Sequence, residues 1–259
     1  MSELILTVDV GNTATTCGLF EEKGFLKALF SFKTKQVVSS EELLVKLKGF
    51  LDLYGLTLKD IGGLSLACVV PPLEDFWVEL GTRWLAKEVV VASPDSVKMP
   101  IMLTYPPEVG ADRLVNALGG WKKYKTSLII VDFGTATTFD CISSEGAYLG
   151  GAIAPGIFLS MEALFRGTAK LPRVDLRKPP SSVLGKDTIS ALKSGLIYGF
   201  VGLTDYLVER LSQEMETTPL VVATGGLASI IAPFSRTISK IDPTLTLEGL
   251  FYLWKDRLA

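Results

Sequence analysis

The chain has no histidine among its 259 residues. Imidazole is therefore missing as a base, a metal ligand or a triad member, and Ser/His/Asp and Cys/His mechanisms are excluded. Acid–base work must fall on Asp, Glu, Lys, Tyr or Cys. Cysteine is scarce as well. Cys17, Cys68 and Cys141 are far apart, have no metal-ligand spacing and sit in apolar, strand-like runs, which reads as buried thiols. Basic charge is not in excess: 26 Lys and Arg stand against 28 Asp and Glu, a net charge of −2, so the clustered basic surface of a nucleic-acid binder is not expected. The longest basic cluster, Lys122-Lys123-Tyr124-Lys125, follows a helical segment and reads as a solvated helix end. Also lacking are an apolar run long enough to span a bilayer and a leader of charged, apolar and small residues. The expectation is a soluble, cytoplasmic protein with neither a membrane nor a nucleic-acid partner. Its length and 48% apolar content suit one large domain or two of about 100–150 residues, with no need of disulfides or a structural metal.

The stretch Val8-Asp9-Val10-Gly11-Asn12-Thr13-Ala14-Thr15-Thr16 reads as a strand end, a glycine turn and the start of a second strand. The chain writes it twice, since Val131-Asp132-Phe133-Gly134-Thr135-Ala136-Thr137-Thr138 has the same grammar. The flanks match too. Leu4 to Val8, Thr15 to Phe20 and Phe25 to Lys33 read as three strands, with a hairpin turn at Glu21-Glu22-Lys23-Gly24. Ser127 to Val131, Thr137 to Ser143 and Ala147 to Ala154 repeat that order around Ser144-Glu145-Gly146. A duplicated fold is the economical explanation. Helices are expected from a Ser39 or Ser40 cap to Gly55, from Leu73 to Leu85, and from the Gly110-Ala111-Asp112-Arg113 segment to about Tyr124. Others are expected from Pro155-Gly156 to about Phe165, from an Asp187-Thr188 cap to about Glu214, after Thr224-Gly225-Gly226, and from Leu245 to Leu258. Strands at Leu64 to Val70, Glu88 to Ala92, Leu220 to Ala223 and Ile238 to Ile241 alternate with them, which implies parallel pairing in α/β sheets. The proline-bearing segment Ser93 to Glu108 reads as an interdomain or site-forming loop, and Thr168 to Gly185 as a second loop.

Three motifs carry chemistry. Two Asp-x-Gly turns facing each other across a cleft make a nucleotide site, because glycine backbone N–H groups and hydroxyls are donors to phosphate. The aspartates would need a cation between themselves and the phosphates, and Mg²⁺ at Asp9, directly or through water, supplies one. One copy alone would be read as a hairpin turn with a local Asx bond; two copies with matching flanks favour phosphate. Thr224-Gly225-Gly226-Leu227, between a strand and a helix, is either an ordinary turn or a close backbone approach with a helix N-terminus aimed at an anion. Gly110-Ala111-Asp112-Arg113 joins a carboxylate to a guanidinium at a helix start. Arg113 can grip a substrate carboxylate and Asp112 can take a proton from an attacking hydroxyl, or the pair is a helix-dipole aspartate beside a surface arginine. Gly195, Gly199 and Gly202 read as a close helix-packing stripe, within the chain or across a subunit boundary.

Asp9-Val10-Gly11-Asn12-Thr13, Glu108-Val109-Gly110-Ala111-Asp112-Arg113, Asp132-Phe133-Gly134-Thr135-Ala136-Thr137-Thr138, Gly150 to Gly156 and Thr224-Gly225-Gly226-Leu227 together resemble the type III pantothenate kinases, in that family's order and over nearly the whole chain. The resemblance implies the duplicated actin/Hsp70/sugar-kinase-like (ribonuclease H-like) α/β fold, here divided as 1–113 and 114–259 with a cleft between two domains. It implies ATP-dependent phosphorylation of pantothenate, the first step to coenzyme A. By motif, Asp9, Val10, Gly11, Asn12, Thr13, Ala14, Thr15 and Thr16 bind ATP phosphates and Mg²⁺, and Thr135 contacts ATP. Asp112 is the catalytic base. Gly110, Ala111, Asp112 and Arg113 line the pantothenate pocket, which Thr188 also contacts. Asp132 holds the monovalent cation, K⁺ or NH₄⁺, and the family forms homodimers. Leu103 stands where the family often has a substrate-contacting tyrosine, with Tyr105 the nearest tyrosine. Two other readings stand beside this one: a non-catalytic regulator of the Bvg accessory factor type, and a kinase for another small hydroxy acid. Asp9, Asp112, Arg113 and Asp132 together argue for catalysis.

Overall fold

The structure, a computed structural model, describes residues 3–37 and 39–257. It divides into two compact units, one of Met1–Lys123 with Thr244–Ala259 and one of Tyr124–Pro243.

In the first unit the elements run β1 (Leu4–Val10), β2 (Ala14–Phe20), β3 (Leu26–Lys33), α1 (Ser40–Leu53), β4 (Ile61–Cys68), α2 (Pro71–Glu79), β5 (Val89–Val91) and α3 (Ala111–Tyr124, its last residue in the second unit). The second unit has β6 (Leu128–Phe133), β7 (Ala136–Ile142), β8 (Tyr148–Pro155), α4 (Ile157–Gly167), α5 (Thr188–Glu214), β9 (Leu220–Thr224), α6 (Ala228–Ile231) and β10 (Lys240–Ile241). The chain then returns to the first unit as α7 (Leu245–Asp256). The expected extension of that helix to Leu258 lies outside the described residues.

The sheets have one topology written twice. Their orders are β3-β2-β1-β4-β5 and β8-β7-β6-β9-β10, each with two antiparallel hairpins followed by two parallel pairings. Both units even break register at the same place, at Leu19/Phe20 and at Cys141/Ile142. The hairpins beyond those bulges close identically. Gly24 N donates to Glu21 O and Gly146 N to Ser143 O, with φ of +89° and +88° that favour glycine at both.

Capping follows the sequence. Ser39 Oγ accepts from Glu42 N at 3.3 Å to open α1, and Asp187 Oδ1 accepts from Ser190 N at 2.9 Å to open α5. Leu43, Leu47 and Leu51 of α1 are buried against Leu6, Leu64 and Trp77 in one core; Phe139, Val131, Ile197 and Ile231 belong to the other. The helix expected from Leu73 to Leu85 starts at Pro71, whose missing N–H costs nothing in a first turn, and changes to a π-turn over Leu80–Trp84. Gly195, Gly199 and Gly202 do not pack within the chain, because a side chain at any of them would meet nothing within 4 Å. That face of α5 is open.

Helix α7 covers the first sheet through glycine positions. A Cβ at Gly18 would lie 3.2 Å from Leu247, one at Gly63 would overlap Trp254, and the Phe20 and Phe251 rings stack at 5.2 Å. It also crosses α3 backbone to backbone, since a Cβ at Gly119 would be 2.9 Å from Gly249 Cα. Thr246 Oγ1 donates to Asn116 Oδ1 at 2.7 Å, while Lys122 and Lys123 pair with Asp256 and Glu248 at 3.0 and 2.7 Å. The basic helix end is thus partly spent on α7. Those contacts fix the axis of α3 and with it the place of Asp112 in its first turn.

Candidate active site

The Asp9 turn links β1 to β2. Asp9 pairs with Thr16 and Val10 with Thr15, leaving Gly11, Asn12, Thr13 and Ala14 as the loop. Gly11 N donates to Ala14 O at 3.1 Å. Thr34, the residue after β3, locks this loop from behind. Its Oγ1 donates to Gly11 O at 2.7 Å and lies 3.0 Å from Thr15 Oγ1, and its backbone N donates to Thr13 O at 3.1 Å. Thr15 and Thr34 are buried, whereas Asn12 and Thr13 are exposed and Asp9 and Thr16 half-buried. The result is a loop locked from behind, with Asn12 and Thr13 exposed.

The Asp132 turn is one residue shorter. Asp132 pairs with Thr138 and Phe133 with Thr137, so only Gly134, Thr135 and Ala136 form the loop. Gly156 occupies the place of Thr34, and a Cβ there would overlap Thr135 O. With no hydroxyl at that position, the fully buried Thr137 Oγ1, the counterpart of Thr15, has no hydrogen-bond partner. The orphaned hydroxyl is a consequence of the Thr-to-Gly difference between the two copies.

Thr224 sits beside Asp132 in the parallel β6–β9 ladder, and Gly225 follows with φ +86°. A Cβ at Gly225 would overlap Asp132 Oδ1 and lie 2.7 Å from Phe133 N and C. The expectation of an anion-binding helix start here is corrected. Helix α6 has only four residues, too few for a useful dipole, and the glycine serves instead to bring the β9 turn against the Asp132 carboxylate.

Asp112 lies in the first turn of α3. Its Oδ1 accepts from Arg113 N at 2.8 Å, and a Cβ at Gly110 would stand 2.5 Å from that oxygen. Glycine at 110 therefore gives the carboxylate room to fold back over the chain. Leu114 N donates to Gly110 O at 3.2 Å and starts the helix. Asp112 and Arg113 are both half-buried, so either can meet a solute.

Thr188 is the first residue of α5 and exposed. It opens on an apolar cavity of about 450 Å³ lined by Leu164, Leu171, Leu192 and Leu196. A separate element thus holds it.

Two expectations about cysteine are tested directly. Cys17 and Cys141 are buried, but Cys68 only half so. Burial, with the nearby Asp9 charge adding to it, pushes the Cys17 thiol far up, and burial first pushes Cys68 to about 11. Neither supplies a thiolate near neutrality. Among the described residues no three His, Cys, Asp or Glu side chains cluster as a metal cage. Magnesium held by one carboxylate and substrate phosphates needs no such cage. Sequence reasoning passed over Thr34, Asp140 and Tyr148. Thr34 had no visible signal, since only the β2–β3 register brings it under Gly11.

A family model described as type III pantothenate kinase matches residues 5–210. The type III pantothenate kinase of Desulforapulum autotrophicum is 46% identical over 249 residues, covering 95% of each chain. Among solved structures, a Campylobacter jejuni protein described as a candidate Baf family transcriptional activator superposes with a TM-score of 0.64 at 18% identity, covering 98% of both chains. The polyphosphate/ATP-glucomannokinase of an Arthrobacter strain superposes with a TM-score of 0.51 at 14% identity, covering 98% of this chain and 100% of its own. At such identities these two structures speak for the duplicated sugar-kinase-like fold alone. The family match spans both Asp turns and the Gly110–Arg113 segment, and with a near full-length relative at 46% identity it places the chain in the type III pantothenate kinase family.

Proposed function

We propose that this protein transfers the γ-phosphoryl group of ATP to the hydroxyl of pantothenate, yielding 4′-phosphopantothenate and ADP, the first step toward coenzyme A. The observation that carries the reading is the Asp112 carboxylate, half-buried in the first turn of α3 over the bare Cα of Gly110, in a chain without histidine.

In this mechanism the Asp9–Thr16 loop holds the ATP phosphates through backbone N–H groups and hydroxyls, and Thr135 adds a further contact to ATP. Asp112 accepts the proton of the pantothenate hydroxyl as its oxygen bonds to the γ-phosphorus, and the bond from phosphorus to the β–γ bridging oxygen breaks to release ADP. Arg113, with Gly110 and Ala111 beside it, pairs with the substrate carboxylate through two parallel hydrogen bonds. Thr188 contributes a hydroxyl to pantothenate. Mg²⁺ carried by ATP, reached by Asp9 directly or through water, would neutralise phosphate charge, and Asp132 would hold K⁺ or NH₄⁺ among oxygen donors.

A homodimer is part of the proposal. Phe158 and Leu159 of α4 are 51% and 53% exposed, and the open Gly195/Gly199/Gly202 face of α5 adds a surface close enough for a second helix. A cytoplasmic location fits a kinase that draws on the ATP pool; among the described residues no helix is long and apolar enough to cross a membrane.

The test is ADP release with Mg-ATP, with and without pantothenate, in K⁺ and then in Na⁺. Asp112→Asn keeps the bond from Arg113 N, so ATP binding should persist while turnover falls roughly 10²-fold or more. Absence of pantothenate-dependent ADP in every salt rejects the function, and near-normal turnover of the variant rejects the role of Asp112.

A further inference from the structure

The two Asp turns differ in a further buried feature, a carboxylate with a phenol. Thr16 faces Asp9 across β1–β2, and Thr138 faces Asp132 across β6–β7. Two residues further along the same face, β2 has Gly18 where β7 has Asp140. Asp140 is 0% exposed, as is Tyr148, which follows the second hairpin in the place Leu26 takes after the first. Tyr148 Oη donates to Asp140 Oδ1 at 2.7 Å, and Thr138 Oγ1 donates to Asp140 Oδ2 at 3.2 Å. The carboxylate and the phenol are present together in one copy and absent together from the other.

A threonine hydroxyl has one proton and two lone pairs. Once the Thr138 proton goes to Asp140, its oxygen offers lone pairs only to whatever lies beside Asp132. Directly opposed residues of an antiparallel pair have Cβ atoms about 4.5–5.5 Å apart, so a single ion can meet both side chains. An acceptor next to a carboxylate attracts a cation and repels a phosphate oxygen. Thr16 is arranged otherwise. Gly18 places no carboxylate behind it, and the Gly18 carbonyl takes the Thr7 hydroxyl at 3.2 Å instead. The Thr16 proton can therefore go to phosphate.

We propose that Asp140 is a positioning residue that makes Thr138 an obligate acceptor, so that the Asp132 turn takes a weakly hydrated monovalent cation while the Asp9 turn takes phosphate. This rests on the reading of Asp132 as the monovalent-cation residue. Asp140→Asn is nearly isosteric, yet with Tyr148 donating to its oxygen the amide NH₂ meets Thr138 and turns the threonine proton outward, reversing the polarity of the site.

The readout is the K⁺ concentration at the midpoint of the K⁺-induced rise in melting temperature, at ionic strength held constant with choline chloride; half-saturation by Mg-ATP is measured alongside. In D140N the K⁺ midpoint should rise about tenfold, in the range for residues that orient metal ligands, with Mg-ATP half-saturation changed less than about twofold. Thr138→Val should do the same, and the double variant should be no worse than either single one. Tyr148→Phe leaves the Thr138 proton on Asp140, so its midpoint should stay within about twofold even if the protein melts earlier. An unchanged midpoint in D140N or T138V overturns the assignment, as does a D140N effect that persists in the T138V background, which would make it simple loss of charge. An equal effect of Y148F reduces Asp140 to a structural role and overturns it too. If D140N does not fold, T138V and Y148F decide alone. No K⁺ response in the wild type, or a full response in Asp132→Asn, overturns the cation reading together with this one. A response lost in D132N and kept in D140N overturns only the role of Asp140.

Discussion

Adjacent glycines 225 and 226 should respond in opposite ways to one methyl group. At Gly225 the φ of +86° costs an L-residue about 1–2 kcal/mol. The added Cβ also lies 2.7 Å from the Phe133 N and C atoms, in a strand paired on both sides, and overlaps Asp132 Oδ1. The carboxylate can swing aside, but the strand cannot, and forcing a methyl into packed backbone costs about 1–3 kcal/mol more. Gly225→Ala should therefore lose roughly 2–5 kcal/mol. For a unit of this size that lowers the melting temperature by about 8–20 °C and leaves it folded at 25 °C. Gly226 has nothing within 4 Å and no positive φ, so Gly226→Ala should stay within about 0.5 kcal/mol of wild type. Calorimetric melts of both variants measure the contrast. A Gly225→Ala protein melting within about 2 °C of wild type, or a Gly226→Ala protein equally destabilised, refutes the claim that close approach to Asp132 fixes the choice of glycine.

Gly199→Ala should stabilise the isolated subunit by about 1 kcal/mol, because the methyl enters open space in a helix interior. The same methyl should weaken self-association measured by sedimentation, and an unchanged or tighter dimer removes α5 from the interface. Asp205 predicts a pH dependence. Burial alone would raise its carboxyl, but hydrogen bonds from the Ser235 and Thr237 hydroxyls and the Arg236 and Thr237 amides outweigh that and hold it below the usual value. A depressed folded value contributes stability that is complete above the unfolded carboxylate range, near pH 4, and is lost as pH falls through the folded value. Asp205→Asn should thus cost stability at pH 7 and narrow its gap to wild type below about pH 4; a gap constant with pH contradicts the assignment.

Local chemistry was legible in the chain where it repeats or where a cap announces it. The strand, Asp-turn, strand, hairpin, strand order appears as written, and Ser39 and Asp187 cap the helices that their positions imply. Periodicity failed where the answer depends on a partner far away in sequence. The apolar stripe of Leu245 to Leu258 says that a helix will be covered, but not that it will lie on β1 and β4 and against Gly119 of α3. The glycines at 195, 199 and 202 read as a packing stripe within the chain or across a subunit boundary, and among the described residues nothing packs on them, which leaves the second of these. The Thr224-Gly225-Gly226 segment reads either as an ordinary turn or as an anion-binding helix start; the helix that follows is a single turn, and the glycine packs against its neighbour Asp132.

The proposed division of labour between the two turns goes with one residue of loop length. The four-residue loop from Gly11 to Ala14 is one residue longer than the three-residue loop from Gly134 to Ala136, and Gly11 N closes it by donating to Ala14 O. Its hydroxyl lock, Thr34 with Thr15, holds the loop from behind. In the shorter loop that lock has no room, since a Cβ at position 156 would overlap the Thr135 carbonyl, and Thr137 is left with an unmade hydrogen bond that costs about 1–3 kcal/mol. Backbone crowding replaces the hydroxyl relay, and Thr138 Oγ1 and Tyr148 Oη both donate to Asp140. Each difference fits the proposal that Asp132 holds a cation. On that proposal, an asparagine inserted after Gly134 should not by itself make the Asp132 turn bind phosphate, because Asp140 would still take the proton of Thr138.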